Sequence, residues 1–213
     1  MHLPTHLKTW TVWALCGALL AGVPALAVAQ TKEPAPSAAT VPVVAKAGGD
    51  VTLGRPEVAS LNATQNGVVP TQPVRLKVWG FEVYDARLWT PRSFRHSQYV
   101  QHPFALELQY LRRLDGSAIA SRSIDEMRRV GTFSDTQAQS WQTAMSNLFP
   151  NVVQGDRITG VNQPGQGAEF WVNGQRAGEV KDPAFARLFF GIWLDERTSE
   201  PKMRSQLLQG LQP

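Results

Sequence analysis

The sequence predicts an α+β domain in which a layer of helices covers one face of an antiparallel sheet. Two groups of strand-like segments, over residues 74–111 and 156–180, alternate apolar and polar side chains. A pair of helical segments separates these groups, and a second helical pair closes the chain. Because strands and helices come in separate runs, the pattern favours α+β over a parallel α/β fold.

The first group of strands begins at Val74. Residues 74–89 read VRLKVWGFEVYDARLW, and Gly80 interrupts their alternation, which predicts either one kinked strand or a pair of strands. Residues 104–111 form the clearest strand pattern. One of its faces carries Phe104, Leu106, Leu108 and Tyr110, and the other carries Glu107 and Gln109. One apolar and one polar face predict a sheet that is buried on a single side.

Two helices are predicted after these strands. Ser117 is the expected N-cap of the first, and Gly131 is its expected end. On this helix we expect Glu126 to face solvent. The second helix opens on Ser134 with the Ser-x-x-Gln pattern of a capping box, and Pro150 ends it.

The second half of the domain repeats the order of strands and then helices. Within residues 156–180, the Asn-Gly pair at 173–174 is the strongest short signal for a β-hairpin. The Asp-Pro pair at 182–183 predicts the start of a helix, with Asp as N-cap and Pro in the first turn. Pro201 begins a last short helix.

The N-terminal segment has the features of a leader. Lys8 precedes an apolar run over residues 10–23, and alanines with Ala-x-Ala spacing follow it. This combination is typical of a secretory signal peptide, and we expect cleavage after Ala29, with Ala27 as the alternative. A retained membrane anchor is the rival interpretation, but the apolar run is short for a full span.

Removal of the leader sets the rest of the organisation. Residues 30–50 are rich in Pro, Ala, Ser and Thr and predict a flexible linker, and residues 51–213 form the predicted domain. We therefore expect a periplasmic or secreted protein with no transmembrane span after cleavage. Cys16, the single cysteine, departs with the leader, so no disulfide or thiol chemistry is expected.

Several kinds of site find no support in the sequence. His96 and His102 lack neighbouring ligands at metal-binding spacing, so no metal site is expected. Without a phosphate loop or a dinucleotide fingerprint, we expect no nucleotide cofactor. No Gly-x-Ser-x-Gly nucleophile motif is present. A formal net charge of +4 is too small to suggest a nucleic-acid partner.

The informative side chains are charged residues within apolar strands, above all Arg75 and Arg87. In one interpretation, alternation places these arginines on the wet face of the sheet. In the other, a guanidinium projects into a cleft between sheet and helices. There it would bind a carboxylate in bidentate fashion, as a site for a fatty acid or an acidic small molecule requires.

The ordered series of segments resembles the bacterial chalcone isomerase-like proteins. The matching segments are KVWGFEVYDARLW, PFALELQYLRRLDGSAI, LFPNVVQGDRI, FWVNGQRAGEV and DPAFARLFFGIWL. The resemblance covers about residues 68–210. It implies an open-faced β-sandwich, in which a long antiparallel sheet is covered by a layer of α-helices, with a ligand cleft between the two.

The resemblance also carries expectations about function. Enzymes of this fold isomerise chalcones with an arginine, a threonine and a tyrosine, and non-catalytic members bind fatty acids and keep the arginine. Arg75 falls where the family arginine is expected. Tyr84 stands near the position of the threonine, and residues 116–118 lack the tyrosine.

These departures imply a non-catalytic binder of a fatty acid or a small amphipathic anion. Arg75 would anchor the carboxylate, assisted by Tyr84 and Arg87. An isomerase of the intramolecular lyase type with an altered active site is one alternative. An accessory or structural subunit without a ligand is the other.

Overall fold

An antiparallel sheet forms the centre of the protein in the computed structural model, which describes residues 55–62 and 67–213. The predicted leader and linker, residues 1–29 and 30–50, lie outside the described residues. Seven strands are found in the described part: β1 Val68–Pro70, β2 Val74–Val78, β3 Phe81–Pro91, β4 Phe104–Tyr110, β5 Arg157–Gln163, β6 Gly167–Val172 and β7 Gln175–Val180.

The strand order is β1-β3-β4-β5-β6-β7, and β2 also pairs with β3. All pairs are antiparallel. Since β1 pairs with the end of β3 and β2 with its beginning, these two short strands share one edge of the sheet.

The helices of the described chain are α1 Pro56–Asn62, α2 Gly116–Val130, α3 Asp135–Leu148, α4 Pro183–Leu194 and α5 Pro201–Leu207, with a short 3-10 helix at His96–Gln101. Apolar side chains of α2 to α5 share one core with β3, β4, β5 and β6. The predicted fold class, a long antiparallel sheet covered by a helical layer, is therefore confirmed.

Aromatic side chains fill the core between the sheet and the helices. Phe170 on β6 is fully buried and lies edge-on to Phe149 and Phe189, with ring centroids 5.1 and 5.2 Å apart. On β4, Phe104 meets Phe190 of α4 at 4.9 Å. A Cβ at Gly160 of β5 would lie 3.1 Å from the ring of Phe190, so the small residue admits this packing.

Gly80 marks a turn between two strands. β2 and β3 form a hairpin in which Trp79 and Gly80 adopt φ values of 50° and 83°. This settles the two options that the sequence left open in favour of a strand pair. The predicted hairpin at 173–174 is confirmed, with φ values of 51° and 82°.

The first residues of α2 and α3 test the two predicted caps. Ser134 caps α3, since its Oγ accepts from the Gln137 amide at 3.2 Å and the reciprocal capping-box bond is present. Ser117 as the cap of α2 is wrong, because the N-cap is Asp115. Gly116 begins the helix earlier because its amide donates to Asn151 Oδ1 at 3.0 Å.

The expectation of one buried sheet face is wrong in part. Helix α1 packs on the face opposite the helical layer and forms a second, smaller core. This core contains Val58, Leu61, Val68, Trp89, Ala105 and Val161. The outward rows of β3, β4 and β5 thus carry enough apolar surface to hold a short helix.

Candidate functional site

Arg75 lies on the sheet face opposite the helical layer. Its neighbours on β2, Val74 and Leu76, pack into the main core, and alternation turns Arg75 the other way. Its Nε and Nη2 each donate to Asp85 at 2.8 Å, and Nη1 donates to Glu82 at 2.9 Å. The side chain remains 43% exposed.

Charge pairing dominates the electrostatics of Arg75. Its hydrogen bonds to Asp85 and Glu82 raise the pKa of the guanidinium, and the same bonds lower the pKa of both carboxyl groups. The bidentate carboxylate contact expected of an anchoring arginine is therefore made to a carboxylate of this chain.

Tyr84 lies on the helical side of the sheet. Trp193 of α4 donates its Nε1–H to the Tyr84 hydroxyl at 3.0 Å, and Tyr110 of β4 lies edge-on at 6.1 Å. Burial is the main cause of a raised Tyr84 pKa. The hydroxyl therefore stays protonated at neutral pH and joins sheet to helix.

Arg87 shares the outer face with Arg75. It pairs in register with Glu107 of β4, and its guanidinium lies 5.7 Å from the ring centre of Trp89. The three predicted site residues therefore do not meet in one place, since Tyr84 occupies the opposite face. A binding role for each of them stays a prediction.

Glu107 was expected on the wet face of its strand, and this is wrong because its carboxylate is buried on the outer face of the sheet. Glu107 is only 3% exposed; it forms a close ion pair with Arg55, and Arg157 Nε lies 3.7 Å from its Oε2. Burial raises the Glu107 pKa, while Arg55, Arg157 and Arg87 oppose the rise. Because Arg55 directly precedes α1, this ion cluster ties the helix to the sheet.

Glu126 was expected to face solvent, and this is wrong. It is 6% exposed and forms ion pairs with Arg122 at 2.5 Å and Arg129 at 3.3 Å. Helix α2 contacts both α3 and α4, so it has less free surface than a single amphipathic stripe suggests. The two arginines balance the buried charge of Glu126.

A cleft open to solvent lies at the end of the sheet where β5 turns into β6. Its volume is about 340 Å³, and its lining comprises Val100, Asn162, Gln163, Gly165, Pro183, Ala184, Ala186 and Arg187. The cleft is thus bounded by the 3-10 helix, the β5–β6 turn and the first turns of α4. It combines apolar side chains with three polar ones, Asn162, Gln163 and Arg187.

Hydrogen bonds fix the walls of this cleft. Asn162 is buried and donates its Nδ2–H to the carbonyl of His102 at 2.8 Å, which holds the 3-10 segment against β5. The Tyr99 hydroxyl donates to the Arg187 carbonyl at 2.8 Å and holds the same segment against α4. The cleft is therefore built from three tied elements.

Arg187 lines the cleft from α4, and its two Nη atoms lie 3.7 Å from the position that a Cβ of Gly131, at the end of α2, would take. Its residue is exposed, and among residues 55–62 and 67–213 no carboxylate oxygen lies within 4.0 Å of its guanidinium. Arg187 was not among the predicted site residues. Its place within the apolar run AFARLFFGIW is the signal that could have found it.

Metal binding and membrane crossing find no structural support in the described part of the chain. Within it, no group of three or more His, Cys, Asp or Glu side chains is arranged to hold a metal ion. None of its helices is long and apolar enough to span a bilayer.

Comparisons with known proteins come from three directions. A family model described as chalcone isomerase-like matches residues 70–209. A protein of Haemophilus influenzae, described as uncharacterized, is 28% identical over 131 residues, or 61% of this chain. The match covers 63% of that relative, so this chain spans less than two thirds of its length.

Among solved structures, the crystal structure of a fatty-acid binding protein of Arabidopsis thaliana is similar, with a TM-score of 0.50 and 13% sequence identity. The superposition covers 65% of this chain and 84% of that one. At this identity the likeness establishes a shared fold.

Proposed function

Because the chain belongs to the chalcone isomerase-like family, we propose that it is a non-catalytic binding protein for a small amphipathic carboxylate such as a fatty acid. The observation that carries the proposal is the cleft beside Arg187. The Arg187 guanidinium forms no ion pair within 4.0 Å in the described chain, which leaves it suited to a bidentate contact with a ligand carboxylate.

The shape and lining of the cleft support this ligand class. Val100, Pro183 and Ala184 offer apolar contacts next to Arg187. A volume of about 340 Å³ is near the lower end of the range for small-molecule pockets. A short acyl chain, or the head of a longer one, fits such a space. The Arabidopsis neighbour is described as a fatty-acid binding protein, which points the same way.

The state of Arg75 and Tyr84 favours binding over catalysis. Stabilising a developing oxyanion requires donors that are free and aimed at the reacting atom. Arg75 already contacts two carboxylates, and the Tyr84 hydroxyl is joined to Trp193 with a raised pKa. An isomerase with an altered active site therefore has less support than a binder.

Fluorescence titration with a dansyl-labelled fatty acid tests the proposal. We expect the delipidated protein to bind the probe, and Arg187→Gln to weaken binding about tenfold, the equivalent of one charge-assisted hydrogen bond. Ala184→Phe should weaken it by filling the cleft. Arg92→Gln is the matched control, since Arg92 is an exposed arginine outside the cleft.

The same titration shows whether the ligand carboxylate is bound by Arg75 instead of Arg187. Loss of binding in Arg75→Ala with full binding in Arg187→Gln would move the anchor to Arg75 and contradict the cleft as the site. Absence of binding in the wild-type protein would overturn the proposal.

An accessory or structural role without a ligand is the second candidate. The observation in its favour is the dense aromatic packing around Phe170, which occupies the space between sheet and helices. Native mass spectrometry of the purified protein separates the two candidates. A co-purified acyl ligand supports the binder, and a bare chain that also fails the titration supports the accessory role.

Export to the periplasm or beyond is also proposed, on the pattern of residues 1–29. We expect the protein recovered from the periplasmic fraction or the medium to begin at Gln30. N-terminal sequencing checks this, and a chain that retains its first residues contradicts cleavage.

A further inference from the structure

Three large apolar side chains around the β2–β3 turn are exposed. Trp79 is 64% exposed, Phe81 is 62% exposed and Val78 is 37% exposed. We call residues 78–81 the aromatic turn. Of the five large apolar side chains that are exposed in the described chain, three belong to it. Clustered apolar exposure of this kind marks an interaction surface more often than scattered single residues do.

The backbone conformation of the aromatic turn is less favourable for its residues than the same conformation is in the β6–β7 hairpin. Trp79 and Gly80 have φ values of 50° and 83°, and Asn173 and Gly174 have almost the same values, 51° and 82°. Asn-Gly is the preferred pair for this conformation, and a bulky residue with positive φ is an outlier. The indole is therefore presented to solvent at a position where Asn would suit the backbone better.

Positive charge surrounds the aromatic turn. The Arg112 guanidinium lies 5.3 Å from the centre of the Phe81 ring, and Arg113 beside it is exposed. Residues 74–85 and 111–113 contain four cations, Arg75, Lys77, Arg112 and Arg113, against two carboxylates, Glu82 and Asp85. Glu82 and Asp85 offset two of these four positive charges, so two positive charges remain unbalanced around the aromatic turn.

We propose that the aromatic turn docks the protein on the surface of a bilayer that contains anionic phospholipids. Trp and Phe suit the interfacial region of a membrane, and nearby arginines attract anionic headgroups. A turn is convex, and Gly80 has open space beside its Cα, so it is suited to insertion between headgroups. The proposal does not rest on the Arg187 cleft, which lies at the opposite end of the sheet.

Vesicle flotation tests the proposal with the mature protein purified after expression of the whole chain. We expect binding to vesicles of phosphatidylcholine with phosphatidylglycerol, and weaker binding to phosphatidylcholine alone or at high salt. Trp79→Asn should reduce binding at least about tenfold because the largest apolar side chain of the turn is lost. Arg112→Gln should reduce it on the anionic vesicles only.

The controls separate docking from folding. Asn fits the left-handed turn, so Trp79→Asn should unfold at the same urea concentration as the wild type or a higher one. Val69→Asn, at an exposed apolar position of β1, and Arg92→Gln, beyond the far end of β3, should bind vesicles like the wild type. Equal vesicle binding by Trp79→Asn and the wild type would overturn the proposal. A Trp79-dependent dimer that ignores vesicles would overturn it in favour of a second copy of the chain.

Discussion

Because the carboxylate of Glu107 is buried, we expect its ion pair with Arg55 to contribute a pH-dependent part to the free energy of unfolding, which a surface ion pair would not. The pKa of Glu107 is raised above the usual value of 4.5 by burial, and Arg55 is the first of the cations that oppose the rise. An acid with a raised native pKa stabilises the fold most at low pH, and this contribution is lost as the pH rises through that pKa. Removing Arg55 should raise the native pKa further.

We therefore expect Arg55→Ala to lower the free energy of unfolding by about 2 kcal/mol at neutral pH and by much less near about pH 4. The cation–π contact of Arg55 with Trp89, at 5.7 Å, is lost at every pH, so the pH-dependent part reports on Glu107. Urea denaturation at several pH values measures both parts. Arg92→Ala, at an exposed arginine, should change little at any pH. If Arg55→Ala lowered the free energy of unfolding by the same amount at every pH, the assignment of the pH-dependent part to Glu107 would be contradicted.

Single residues of the candidate site could be predicted in part from the sequence. The sequence placed Arg75, Tyr84 and Arg87 in one site, whereas the structure puts Tyr84 on the helical face of the sheet and the two arginines on the other. Alternation along a strand does not tell which row of side chains packs against the helical layer. Both faces of the sheet carry large apolar residues, such as Leu88 on one and Trp89 on the other. The place of Arg187 at the cleft depends on how α4 packs against the β5–β6 turn, a contact between segments that are far apart in the sequence.

Helix caps offer a prediction at the scale of a secondary-structure element. Ser134 makes the capping-box bonds of α3, whereas Ser117 lies exposed inside the first turn of α2. Ser134→Ala should lower the free energy of unfolding by about 1 kcal/mol. Ser117→Ala is the matched control and should stay within about 0.5 kcal/mol of the wild type, because Ala is a good helix former. Thermal or urea unfolding compares the two, and equal losses would contradict the observed caps.

Elements with strong local signals could be predicted from the sequence. The Asn-Gly hairpin, the Ser134 capping box and the Asp-Pro start of α4 are each encoded within a few residues. Helix α1 could not be predicted in this way. It has seven residues, too few for a helical period, and is held by the apolar outer row of the sheet and by Arg55.

At the scale of the whole molecule, the sheet separates two cores of unequal size. The main core contains most of the buried aromatic rings and all four helices of the layer, whereas the outer core depends on α1 and a few residues of the sheet. Stability is therefore expected to be concentrated on the helical side, with α1 opening at a lower free energy than global unfolding.

Phe170 is the residue through which the main core can be tested. It is fully buried, and its ring lies within 6.2 Å of the rings of Phe149, Phe185 and Phe189. Phe170→Ala removes a large side chain from a site whose neighbours can collapse only partly. We expect a loss of about 3–5 kcal/mol in the free energy of unfolding, measured with urea. Val58→Ala in the outer core is the control and should cost clearly less, because a smaller group is removed.

The space left by Phe170→Ala also distinguishes a sealed core from an inner ligand cleft. If the aromatic rings seal this region, the variant gains a dry apolar cavity, and benzene should restore part of its lost melting temperature while leaving the wild type unchanged. Fatty-acid affinity should stay at the wild-type value because Arg187 and its cleft are untouched. A gain in fatty-acid affinity together with little loss of stability would show that the ligand enters between sheet and helices. The rings around Phe170 would then line the site instead of closing it.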